Sequence, residues 1–155
     1  MKNSGVLRRA YIQAALYSVG GVSLLFVGLT LLLVAAIAPN GALAAISIGL
    51  GYFFALGIWI LVFAERAGRK AKENKLVGLV FAVAGVLFSV FVTWIVGLTV
   101  TPAGGPTSYV ETLITGLPTL GLLAFFAVPI GLLSGMLFIG QAQAQTAITQ
   151  SNPGL

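Results

Sequence analysis

The chain has 155 residues, of which 59% are hydrophobic and 7% charged, whereas roughly 25% of a typical soluble domain is charged. So few polar groups cannot cover the surface of a globule, so lipid must serve as outer solvent and the class is integral membrane protein. Cysteine and histidine are absent from the sequence, which excludes disulfides, thiolate chemistry and the usual zinc, iron–sulfur and haem ligation, and removes the commonest general base.

No charge occurs from Ala10 to Ala64. One helix needs about 20 residues to cross about 30 Å of hydrocarbon, so this stretch holds two crossings. The break is Pro39-Asn40-Gly41, where proline cannot continue the helical ladder and asparagine and glycine accept positive φ. Transmembrane helices are therefore expected at 11–38 and 42–64. Residues 65–75 carry two glutamates and five basic residues, too polar for hydrocarbon, and are expected as a basic loop. A third helix is expected at 76–100, ended by Thr101-Pro102-Ala103-Gly104-Gly105-Pro106. An outer loop at 101–118 would hold a short, mildly amphipathic piece with Tyr109 and Glu111. The fourth helix is expected at 119–139, followed by an uncharged polar tail beginning at Gln141. These elements predict an all-α integral membrane protein, a single domain over 1–155 folded as an up-down-up-down bundle of four transmembrane helices.

All eight basic residues fall on one side of that arrangement. Lys2, Arg8 and Arg9 precede the first helix, and Arg66, Arg69, Lys70, Lys72 and Lys75 lie two crossings later. Lysine and arginine beside membrane segments are retained on the cytoplasmic face, so both termini and the basic loop are expected in the cytoplasm of a cell-membrane protein. Ala36-Ile37-Ala38 has the small-residue pattern of a signal-cleavage site, but the apolar run before it is about twice the core of a signal and proline follows directly. Removal of the first helix is not expected.

The halves share letters. Val19-Gly20-Gly21-Val22 returns as Val83-Ala84-Gly85-Val86, and the stretch from Gly49 to Ile58 resembles that from Gly121 to Ile130. A duplicated helical hairpin would give this pattern, as would chance among helices rich in leucine, alanine, glycine and phenylalanine. A repeat of this kind is parallel, unlike the inverted repeats of many secondary transporters.

Small residues at every fourth position mark close helix contact in lipid. Ser47, Gly51 and Ala55 form one such stripe and Ala127, Gly131 and Gly135 another. They are expected to pack the bundle against itself or against another subunit. Pro129 should kink the fourth helix. Tyr11, Trp59 and Tyr109 stand near expected span ends, as interfacial anchors do, while Tyr52 and Trp94 lie deeper and would face a partner or lipid. Arg66, Arg69, Lys70, Lys72 and Lys75 are candidates for contact with anionic lipid, at about 1 kcal/mol each.

Charge within the membrane marks function because it is costly to bury, and these four runs contain none. The mass and the 20 glycines resemble the four-helix proteolipid of rotary ATPases, which requires a mid-membrane carboxylate, but the corresponding stretch from Phe125 to Gly135 has none. Small four-helix multidrug exporters require a glutamate in the first helix, where this chain reads Tyr17-Ser18-Val19-Gly20-Gly21-Val22-Ser23. Neither resemblance extends to the residues that matter.

The expected function is therefore non-catalytic: a structural or accessory subunit packed within a larger membrane complex or with copies of itself, with membrane lipids as neighbours. No catalytic, cofactor or metal residue is expected, and no nucleic-acid partner, since the basic residues belong to topology. The alternative is a small permeation protein, a holin-like pore, a channel or a carrier of an uncharged solute. Its polar path would have to use Ser18, Ser23, Thr30, Ser89, Thr93 and Ser134, although such hydroxyls commonly bond to their own helix.

Overall fold

The computed structural model of the protein describes residues 3–37, 41–100 and 109–151. Apart from a turn at 72–74 these residues are helical, and no strand occurs among them. In chain order the elements are α1 (Asn3–Ala15), a π-helical turn (Leu16–Gly20), α2 (Gly21–Ile37), α3 (Gly41–Ala71), α4 (Lys75–Val100) and α5 (Tyr109–Ser151). Four segments are long and apolar enough to cross a membrane: Gly5–Leu33, Ala45–Ala71, Lys75–Gly97 and Gly116–Ala144.

The first rod is interrupted but not broken. At its π turn the Gly21 N–H reaches back to the Leu16 carbonyl, five residues away, in place of the usual four. The sequence explains why here. Gly20 and Gly21 have no side chain to stiffen the turn, and a Cβ on either would meet nothing within 4 Å. Two residues earlier the Ser18 hydroxyl donates to the Ala14 carbonyl (2.6 Å), a back-bond that bends helices.

The charged segment 65–75 is not an eleven-residue loop. α3 continues through Glu65, Arg66, Arg69 and Lys70 to Ala71, because these residues are good helix formers and the Glu65–Arg69 pair at i, i+4 supports the ladder (2.6 Å). Only residues 72–74 turn. There the Glu73 and Asn74 N–H groups close on the Lys70 carbonyl, and Asn74 caps α4 by accepting the Leu76 N–H on its side-chain oxygen (2.9 Å).

α5 also outruns its expected bounds. It absorbs the second half of the expected outer loop, passes through Pro118 and Pro129 and continues along the glutamine tail. Proline removes one backbone bond, but in an apolar helix ending the ladder there would leave several more groups unpaired. The expected kink at Pro129 thus falls on a position where the helix is unbroken. Of the sequence breaks, 38–40 and 101–108 lie outside the described residues, as does Lys2.

Rising numbers on each rod meet falling numbers on the next. Tyr11 lies against Gly68 and Leu31 against Gly49, with Ser23 bonded to Tyr52 between them. Gly51 faces Val96, Trp59 covers Gly85, and Gly131 and Gly135 face Val83 and Leu79. The core is built from Ala14, Val19, Leu56, Ile60, Phe81, Val86, Ala127 and Phe138 among others. Many other leucines and phenylalanines point outward, as Leu25 (71% exposed) and Phe125 (72%) illustrate, which is the reverse of a water-soluble bundle.

The two similar segments of the suspected repeat differ in surroundings. Gly21 borders open space, whereas a Cβ on Gly85 would strike the Trp59 indole at 2.6 Å.

Candidate functional site

The small-residue stripes both face α4. A Cβ on Gly131 would stand 2.6 Å from the Val83 Cα, and one on Gly135 would stand 3.0 Å from the Leu79 Cα. Glycine there lets two backbones approach as no other residue would. Ala127 extends this seam and is buried. On α3, Gly51 lies in ordinary contact with Val96, Ala55 is buried and Ser47 is half-buried.

At the charged end, Glu65 accepts Arg69 at 2.6 Å and faces the Arg8 guanidinium of α1 at 3.7 Å. This cluster, with the Tyr11 ring pressed on Gly68, brings the first helix and the basic stretch to one end of the bundle. Arg66, Lys70, Lys72 and Lys75 are exposed there, as is Arg69.

The aromatic residues depart from the anchor pattern. Tyr11 and Tyr52 are each 2% exposed, so both belong to the interior. Tyr52 donates its hydroxyl to Ser23 (3.1 Å), which satisfies a polar group that would otherwise be costly in an apolar core. Trp59 donates its indole N–H to the Phe81 carbonyl (3.1 Å) and packs between Phe63 and Phe88. Trp94 is half-buried and stacks on Phe91. The side chain of Tyr109 lies outside the described residues. Gly85 makes room for Trp59 as Gly68 does for Tyr11, pairings between distant stretches that no run of letters announces.

The six hydroxyls named for the permeation alternative all bond within the bundle. Ser18 donates to Ala14, Thr30 to Phe26, Ser89 to Gly85, Thr93 to Ser89 and Ser134 to Gly131, each onto a carbonyl of its own helix at 2.6–3.0 Å. Ser23 is held by Tyr52.

Away from the charged end the bundle opens. α1 and the π turn close against α5, but α2 meets α5 only sparsely, leaving a half-open cavity of about 450 Å³. Its walls are Phe26, Val27, Thr30 and Leu31 of α2, Ile48 and Tyr52 of α3, Val86, Val90 and Thr93 of α4, and Leu123, Phe126, Ala127 and Ile130 of α5. Sequence patterning did not reveal it, because it arises from the spacing of rods and not from a run of letters.

Among the described residues no group of three or more acidic, histidine or cysteine side chains could hold a metal ion. The molecule is thus a helical bundle with four helices apolar enough to span a bilayer, sealed by small residues along α4 and open toward one end. Compared with protein-family models, curated proteins and solved structures, the chain matches none.

Proposed function

We propose that the chain is a multi-pass protein of the cell membrane, threaded up-down-up-down with both termini in the cytoplasm. It serves there as a non-catalytic structural or accessory subunit, packed with other membrane proteins or with copies of itself. The opposed numbering of contacts along successive rods supports the threading, and the ion pair from Arg8 to Glu65 supports a common side for the basic residues. That side carries the anionic-lipid contacts, with Arg66, Lys70, Lys72 and Lys75 exposed and Arg69 turned to Glu65.

One observation carries the non-catalytic reading over permeation: the interior hydroxyls are engaged by backbone or by each other, so a polar solute finds no ladder of donors to replace its water. Extraction in mild detergent, followed by native mass spectrometry, tests the proposal. A larger assembly or a defined oligomer is expected. A lone monomer, together with solute flux through liposomes containing only this chain, would overturn it in favour of permeation.

A further inference from the structure

We infer that the half-open cavity between α2 and α5 binds one acyl chain of a bilayer phospholipid, an assignment that rests on the membrane reading above. Depth is the first argument. Tyr52 at the cavity wall precedes Arg66 by 14 residues on α3, or about 21 Å at about 1.5 Å per residue. The cavity therefore lies in the apolar half of the bundle remote from the charged end, and what adjoins its opening is hydrocarbon.

Chemistry is the second. The three wall residues with hydroxyls offer no donor to a ligand, because Thr30 and Thr93 donate to carbonyls of their own helices and Tyr52 donates to Ser23. Every other wall residue is apolar. A ligand whose polar group needs a donor would lose that hydrogen bond on entry, whereas a methylene chain loses nothing.

Size suits a lipid chain as well. The wall runs along α4 from Val86 to Thr93, about 10 Å at about 1.5 Å per residue. A volume of about 450 Å³ over that length leaves a mean cross-section of about 45 Å². A single flexible chain fits that width, and it slides in sideways past the exposed Phe26 and Phe126.

The test uses the full chain in nanodiscs of phosphatidylcholine containing a fraction of the same lipid with a photoreactive diazirine on the distal part of one acyl chain. Illumination and peptide mapping should give adducts on the partly buried Val90 and Ile130, besides those on outward Leu25 and Phe125. Val90→Trp should fill the cavity and abolish the adduct on Ile130 while leaving the outward ones. Val27→Trp, on the opposite wall, should do the same independently. Adducts confined to the outward residues, or an Ile130 adduct that survives both substitutions, would overturn the assignment and leave the membrane reading standing. Aggregation of both variants would also count against it, because an open cavity has room for an indole. Recovery of the wild-type chain in the aqueous phase after an alkaline, detergent-free wash would instead remove the membrane reading, and the acyl-chain site with it.

Discussion

Gly131→Ala adds one methyl group where α5 touches α4. That carbon would sit 2.6 Å from the Val83 Cα and 3.2 Å from its nitrogen, while carbon pairs rest at about 3.5–4.0 Å, so the two rods must part by about 1 Å. Val83 presents backbone at this point, and backbone cannot swing aside as a side-chain tip can. Parting the rods also loosens Gly135 against Leu79 and Ala82, and a gap of that size forfeits about a quarter to a half of each dispersion contact. Overpacking of this kind costs about 1–3 kcal/mol, which at about 2–4 °C per kcal/mol for a chain of this length is a fall of roughly 2–12 °C in Tm. The assay is the fraction of monodisperse protein after graded heating in mild detergent. Gly140→Ala is the control, since a Cβ there meets nothing within 4 Å and alanine favours helix. A Gly131→Ala protein that melts with Gly140→Ala would refute the reasoning that the seam is backbone against backbone.

Three further outcomes follow from other contacts. Ser23→Ala strands the Tyr52 hydroxyl in the core and should cost about 1–3 kcal/mol, more than Tyr52→Phe; the double variant should melt near Tyr52→Phe alone, and additive losses would show that the bond is not the cause. Glu65→Gln releases Arg8 and Arg69, whose side chains are 59% and 54% exposed, so stability should change by no more than about 1 kcal/mol in the same thermal assay, and less at high salt. Proteolysis of inside-out and right-side-out vesicles should cut residues 72–74 from the same side that labels the amino terminus; cleavage from opposite sides would remove the shared basic end.

The four helices apolar enough to cross a membrane were legible because they depend on composition averaged over twenty residues, which no local contact can reverse. Boundaries were less so. The stretch from Glu65 to Lys75 is too polar for lipid, which suggests a loop, but polarity forbids only burial, and Glu65, Arg66 and Lys70 continue the helix beyond the apolar span. At Pro118, the end of the expected outer loop, the helix breaker loses to the cost of unpaired backbone. Tyr11 looked like an interfacial anchor from its place in the chain, while its burial depends on Gly68, 57 positions away in sequence. The cavity depends on the separation of two rods, a property that no single helix encodes.

The bundle is bound unevenly. α3, α4 and α5 are joined by seams in which glycine lets tryptophan or a neighbouring backbone settle close, whereas α2 leans on α3 and barely reaches α5. Against the close α4–α5 seam, the α2–α5 side is the gap the bundle can widen while its other seams stay shut, and slow opening begins at weakly held sides. Backbone amides from Gly21 to Ile37 should therefore exchange with solvent deuterons before those of the α4–α5 seam.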